Sequence, residues 1–545
     1  METLVIVTAL MFATVLVVAV GERLRLPWPV LLTVLAAGTL FIPGMPEVTI
    51  DNEHILPLFL PPLLWALARR TSWGMFRAQW RTIIGLSVLL VFASVAAVTG
   101  TMMLIAPGMG FLAAMALGAA VAPPDPVSVE AVAEPAGIPR RIIGTLQTEG
   151  LFNDAASLVA FTVAVSALQM GDEIHWGAAT LQFLYTAIVA VVLGLVVGRV
   201  SSVLLGWLGS PTAGNALTWV LPFATYVLAE ELHASGVIAV VVAAVELSSR
   251  ADATASDARL SGRAFWDVTE LLITGLAFGL MGFSLRQALS HPEVDIMQAV
   301  AWGVAVSLVL GVVRALWMTV VWRINIHQGR LHVAPSRFAD VVILTWSGMR
   351  GLVTLALVLS MSGALFPRHH EFTVVAFVVL TCTMIIPGLT LPGLVTLLGR
   401  HVDLEDSTDA ATEDALDDAY DAAMDVLRGY VDEFPPEVVA RVADRLATIR
   451  STGSFDDGDA DEPDPDESDD ERRRRIREQT RLVAEVRREA LEAAQRTLTA
   501  ARFRPGVDPS AINDKLHELD VRIVALPPTG PSGPAVTGGE RGRRA

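Results

Sequence analysis

Apolar runs of about 20 residues recur from the N-terminus to about residue 400, separated by short stretches rich in Arg, Gly and Pro. A run of that length is what an α-helix needs to cross the ~30 Å hydrocarbon layer of a bilayer. The pattern predicts thirteen spans, at 2–20, 28–42, 55–70, 81–105, 110–133, 141–168, 176–207, 216–231, 235–248, 266–290, 296–322, 338–363 and 371–398. Alternate loops carry fifteen arginines, from Arg23 and Arg25 through Arg140 and Arg141 to Arg337, whereas the loops between them carry one, Arg368. Basic loops stay on the cytoplasmic side. The bias therefore predicts an outside N-terminus, a cytoplasmic C-terminus and an odd number of spans. The first run, Met1 to Val20, has neither a basic leader nor a small-residue cleavage site, so it is expected to remain as a span.

Two spans contain breaks. The fifth reads FLAAMALGAAVAPPDPVSVEAVA, with Pro123, Pro124 and Pro126 packed around Asp125. Proline removes a backbone donor and clashes with the preceding turn, so this helix must be interrupted. The twelfth reads FADVVILTWSGMRGLVTLALVLSM, with Gly348 and Gly351 flanking Arg350. Paired interrupted helices in the two halves of a membrane chain point to a transporter's midplane site. An Asp at one break and an Arg at the other suit the opposite partial charges of half-helix ends.

The sixth span, RIIGTLQTEGLFNDAASLVAFTVAVSAL at 141–168, carries Glu149, Asn153 and Asp154 near its middle. An acid at mid-membrane is costly and marks a functional site by default. Read as one helix, the span places Glu149 and Asn153 on one face with Asp154 beside it. A buried acid with an amide next to it suits cation or proton binding. Arg350 is expected to pair with Glu149, since an unpaired buried charge costs far more than a pair; Asp154 then remains the exchanging carboxylate. Arg314, in the eleventh span, is expected to pair with an acid or to snorkel. His233, His369 and His370 read as surface groups outside, and Asp267 and Glu270 as interfacial residues opening the tenth span.

Composition supports the membrane reading: 53% of the 545 residues are apolar and 18% charged, with a mean hydropathy of +0.52. The net charge of −17 belongs mostly to residues 401–545, which carry −14. The domain boundary is therefore expected near residue 400, with a cytoplasmic tail at 401–545. Within the tail, 408–452 and a stretch from Arg472 to about Phe503 look helical, and 453–471 reads as an acidic disordered linker. These charge blocks are expected to belong to a solvated tail. The lone Cys382 lies in an apolar run, which leaves no disulfide framework and no cysteine metal site. No HExxH or GxSxG motif argues for a hydrolase, and no repeated pore motif argues for a channel.

Residues 1 to about 400 resemble the monovalent cation:proton antiporters of the sodium/proton exchanger type, in their prokaryotic Asn-Asp form. The segments that carry the resemblance are RLRLPWPVLL at 23–32, FLPPLLWALARRTSW at 59–73, APPDPVSV at 122–129, EGLFNDAASLV at 149–159, AEELHASGVIAVV at 229–241 and WSGMRGLVTLAL at 346–357. The resemblance implies an all-α polytopic fold of about thirteen transmembrane helices, arranged as an inverted repeat with two crossed broken helices. It also implies a homodimer in the plasma membrane with no cofactor and no nucleic-acid partner. By the same resemblance Asp154 is the cation and proton ligand, Asn153 its motif partner, Glu149 and Arg350 a buried ion pair, and Asp125 the acid at the crossed helices. Three positions depart from the family. Pro124 replaces a Thr, leaving only its carbonyl as a ligand; Gly150 replaces a Ser; Ala66 stands where many members have an acid. The expected function is electroneutral exchange of Na+ for H+ by alternating access, with K+ or mixed monovalent cations as the alternative and a cation channel less favoured.

Overall fold

A bilayer offers no water to a backbone N–H or C=O, so a chain that crosses it must satisfy those groups within its own helices. The computed structural model describes residues 2–24, 27–38, 52–69, 83–125, 138–150, 152–169, 176–208, 210–250, 256–291, 294–328, 334–361, 368–399, 410–431, 436–447, 469–501 and 509–526. It also describes single positions at 73, 77, 80, 81, 128, 129, 132, 363, 365, 366, 449 and 507. All regular elements among them are helical. Loops 39–51 and 170–175, and the acidic stretch 453–468, lie outside the described residues.

The chain divides into two compact units, one of residues 1–254 and 261–407, the other of 255–260 and 408–545. In the first, five described helices are long and apolar enough to cross a membrane: Ile84–Ile105, Leu184–Trp207, Arg259–Ser290, Ile296–His327 and His369–Leu398. In order, the helices are α1 (Glu2–Leu24), α2 (Trp28–Gly38), α3 (Asn52–Ala68), α4 (Ile84–Ile105), α5 (Phe111–Val121), α6 (Arg140–Gly150) and α7 (Asn153–Gln169). There follow α8 (Trp176–Trp207), α9 (Pro211–Glu231), α10 (Gly236–Arg250), α11 (Ser256–Ser290), α12 (Ile296–His327), α13 (Phe338–Trp346), α14 (Leu352–Leu359), α15 (His369–Leu380) and α16 (Ile386–Gly399). Two expectations change. The predicted sixth span is two helices, α6 and α7, with Phe152 in a turn, so Glu149 ends one helix while Asn153 opens the next. Gly150, a weak helix former, stands at that junction. The predicted tenth span begins ten residues earlier, at Ser256, and Glu270 is buried against protein within it.

Small residues decide how closely helices approach. Gly194 and Gly198 lie four apart on one face of α8, against α10. A Cβ added at Gly194 would stand 2.7 Å from the Ala239 carbonyl oxygen, and one at Gly198 2.7 Å from Glu246 Cβ. That close approach lets buried Glu246 gather Arg199 from α8 (3.2 Å), Arg250 from its own helix (2.6 Å) and the indole N–H of Trp73 (2.8 Å). Around the breaks, α5 packs against α4, α7 and α14, and α14 also against α3. One apolar core of buried Leu, Val and Ala runs through these helices.

The second unit corrects the expectation of a solvated tail. Its helices are α17 (Ala410–Gly429), α18 (Pro436–Ala447), α19 (Asp469–Ala501) and α20 (Pro509–Val524). Their apolar stripes close on one another. Ala415, Ala419 and Ala423 of α17 are buried with Ala490, Leu491 and Ala494 of α19, Leu446 of α18 and Leu519 of α20. Alanine every fourth residue on two partner helices lets them pack closely. Within this unit Arg259 donates to both carboxylate oxygens of buried Asp520, at 2.9 and 2.5 Å, and Gln495 donates to one of them.

The α8–α10 contact yields a test. Gly198→Val forces its side chain into the Ala243 carbonyl and the Glu246 side chain and should destabilise the detergent-purified protein by about 1–3 kcal/mol. Gly206→Val, on the same helix with nothing within 4 Å, should leave the melting temperature unchanged. Equal melting temperatures for the two variants would exclude the close packing.

Candidate functional site

The two broken helices meet at their breaks. Helix α5 ends at Val121 and the chain leaves helical geometry through Ala122, Pro123, Pro124 and Asp125. Helix α13 ends at Trp346, α14 begins at Leu352, and Ser347–Gly351 cross between them. The backbone N–H of Asp125 donates to the Met349 carbonyl at 2.7 Å, which ties one break to the other.

The ends of the half-helices take opposite charges. Arg350, 3% exposed, donates to the carbonyls of Val121 (3.2 Å), Ala122 (3.3 Å) and Gly348. These are C-terminal carbonyls of α5 and of the break itself, the negative end of a helix dipole. Asp125 sits at the positive end of α14. A Cβ built on Gly351, the residue that precedes α14, would overlap the Asp125 carboxylate, so only glycine fits there. Ser128 donates to Asp125 Oδ2 at 2.5 Å.

The expected pairing of Glu149 with Arg350 is therefore corrected. Glu149 pairs with Arg314 of α12, whose two terminal nitrogens reach both carboxylate oxygens, one at 2.8 Å. The side chains are 1% and 3% exposed. Arg314 Nε also donates to the Leu344 carbonyl at 2.8 Å. Arg350 has its charge absorbed by backbone carbonyls, and Glu149 takes Arg314, whose two terminal nitrogens remain for it after Nε has met the Leu344 carbonyl. The sequence did hold a signal for this partner, because Arg314 lies mid-way along a 32-residue apolar helix, too deep to snorkel.

Asn153 is a clamp. Its Nδ2 donates to the Pro124 carbonyl at 2.5 Å and its Oδ1 accepts from the Asp154 N–H at 2.7 Å. The break of α5 is thereby fixed against the start of α7. Ser157, one turn further along α7, donates to the Ala119 carbonyl at 2.6 Å, and Ser87 of α4 donates to the Glu149 carbonyl at 2.6 Å. Ser157 falls within the EGLFNDAASLV segment without standing out there, and Ser87 lies outside the segments that carry the resemblance. Asp154 is 6% exposed, and among the described residues no cationic side chain forms an ion pair with it. The geometry brings Asp154, Asn153, Pro124, Asp125, Glu149 and Arg350 into one polar cluster. Ala66 is buried in α3, the helix that packs on α14.

The sequence profile described as "Sodium/hydrogen exchanger, transmembrane" matches residues 7–397. The chain belongs to that family. A Na+/H+ exchanger of Mycobacterium tuberculosis, itself uncharacterised, is 32% identical over 404 residues, 72% of this chain and 74% of that one. A "Sodium, potassium, lithium and rubidium/H(+) antiporter" of Bacillus pumilus is 28% identical over 410 residues, 71% of this chain and 60% of its own length. The fold is similar to that of the sodium proton antiporter MjNhaP1 of Methanocaldococcus jannaschii at pH 8. The TM-score is 0.58 at 16% identity, over 74% of this chain and 100% of that one. In this multi-pass membrane family the crossed breaks and the acid beside them form the candidate ion site.

The Glu149–Arg314 pair is testable. Removing either partner leaves a buried charge and should cost about 3–5 kcal/mol, and Glu149→Gln with Arg314→Met should cost less than the two single losses together. The same cycle between Glu149 and Arg350 should show weaker coupling. Thermal unfolding of purified protein reads both cycles, and additive losses for Glu149 and Arg314 would refute the contact.

Proposed function

We propose that this family member exchanges cytoplasmic Na+ for external H+ across the plasma membrane, one for one. The observation that carries the reading is Asp154, a buried carboxylate with no cationic partner among the described residues, held beside the meeting point of two half-helices. A lone carboxylate out of water must be neutralised. It holds a proton or a cation, and each displaces the other. Glu149 is neutralised by Arg314 and takes no part in that competition. Alternating access then carries the one loaded site between the two faces, with no cofactor. The arginine-rich loops support a cytoplasmic tail and an outside N-terminus. The family resemblance supports a homodimer.

Hard monovalent cations bind oxygen, and this site is short of side-chain oxygens, with Gly150, Pro124 and Ala66 at positions where relatives offer them. That shortage, and the broad cation range named for the Bacillus pumilus relative, favour one second reading, an exchanger that accepts K+ and Li+ as well. Proton flux driven by Na+, K+ and Li+ gradients in proteoliposomes separates the two readings.

Two outcomes are expected. Asp154→Asn should insert and purify as the wild type does, while Na+-driven proton flux falls to background. Flux at the wild-type rate would remove Asp154 from the mechanism. Exchange should also be indifferent to voltage, because Asp125 is committed to the positive end of α14 and contributes no second proton. Clamping the membrane with potassium and valinomycin should change neither the rate nor the final Na+ gradient. A voltage-dependent gradient would return Asp125 to the transported load.

A further inference from the structure

A hydroxyl buried in a membrane helix usually finds the carbonyl four residues back, its nearest acceptor. Thr14, Thr33, Thr99, Thr225, Thr373 and Thr383 all do so here, at 2.7–3.0 Å. Thr354 does not. It is 1% exposed, and its Oγ1 has no hydrogen-bond partner among the described residues. The cause is its position in the first turn of α14. The carbonyl four residues back belongs to Arg350, in the non-helical break, and the helical acceptor is missing. A buried hydroxyl without a partner costs stability that folding alone does not recover. An orphan oxygen at this place therefore points to an occupant that supplies the missing contact.

Its surroundings say which occupant. Thr354 lies three residues after Gly351, on the same side of the helix and one turn further in. That side is where the Asp125 carboxylate lies against Gly351. Helix α14 packs on α5, which leads into Pro124 and Asp125, and on α3, which carries Ala66. The group is thus a neutral oxygen, already desolvated, in the first turn of a half-helix whose N-terminal end lies against the Asp125 carboxylate. Hard cations take hydroxyl, carbonyl, carboxylate and water oxygens alike.

We infer that the Thr354 hydroxyl is a ligand of the transported monovalent cation, standing in for side-chain oxygens absent at Gly150, Pro124 and Ala66. This deepens the antiporter reading and rests on it. Thr354→Val keeps the shape and removes the oxygen, and Thr354→Ser keeps the oxygen. In proteoliposomes of the full-length protein, Thr354→Val should raise the KM for Na+ about five- to tenfold, the scale of one lost polar contact. It should also change the ratio of KM values for Na+, Li+ and K+, while Thr354→Ser restores both. The second readout needs no transport: the Na+ concentration that raises the melting temperature of purified protein should shift upward by the same factor in Thr354→Val. Wild-type KM values and an unshifted Na+ titration in Thr354→Val would overturn the inference. So would equal damage in the Ser and Val variants with no change in cation ratio, the mark of a packing role. If wild-type protein drives no exchange at all, the antiporter reading fails, and the Na+ titration still decides whether Thr354 holds the ion.

Discussion

Breaking a helix in the middle of a membrane leaves carbonyls at one end and N–H groups at the other with no water to satisfy them. Everything else at the centre of this molecule follows from how those ends are neutralised. Arg350 spends its guanidinium on the carbonyls of Val121, Ala122 and Gly348. Asp125 places its carboxylate against Gly351, where α14 presents its positive end. The two residues act on opposite dipole ends of two different chain segments, and the Asp125–Met349 backbone bond joins those segments. The crossing is therefore an electrostatic joint as well as a packed one.

That allocation of charge fixes the roles of the remaining ionisable groups. Because Arg350 is committed to carbonyls, Glu149 needs another cation, and Arg314 reaches it from α12 in a two-pronged pair. The pair ties α6 to α12, and Arg314 continues to the Leu344 carbonyl at the end of α13. Three helices around the breaks are held by one charged network whose members are all spent. Asp154 stands outside it. Its own N–H is held by Asn153, which at the same time grips the Pro124 carbonyl. Among the described residues Asp154 is positioned by neutral hydrogen bonds, so in the proposed exchange its loading with a proton or a cation breaks no ion pair seen there.

Much of this was legible in the chain. Pro123, Pro124 and Pro126 announced one break and Gly348 and Gly351 the other, because those residues alter backbone geometry wherever they occur. Asp154 was legible through its depth. The partner of Glu149 was legible only in part: Arg314 stood deep in an apolar helix, but Arg350 binds backbone carbonyls, which every residue carries and no sequence marks. Reasoning over side chains alone assigns such an arginine to the nearest acid. The division of the sixth span between Gly150 and Asn153 carried a weaker signal, since a single Gly without Pro does not by itself end a helix and apolar Leu151 and Phe152 fill the junction. In the tail, the alanine spacing of α17 and α19 was readable as helix, but Ala carries so little apolar surface that a shared core drew no notice among so many acids.

The three departures from the family pattern then acquire a common meaning. The Pro124 carbonyl accepts one hydrogen bond from Asn153 and, having two lone pairs, keeps one for an ion. Gly150 and Ala66 offer nothing beyond backbone. A cation beside Asp154 must complete its shell from one carboxylate, carbonyls, water and whatever hydroxyls the second break supplies. Neutral, partly mobile ligands select less sharply by size than a rigid ring of anionic oxygens, because the shell adjusts to the ion. The same substitutions that thin the site thereby favour tolerance among Na+, Li+ and K+. In the proposed mechanism the competition with protons is untouched, because it rests on Asp154.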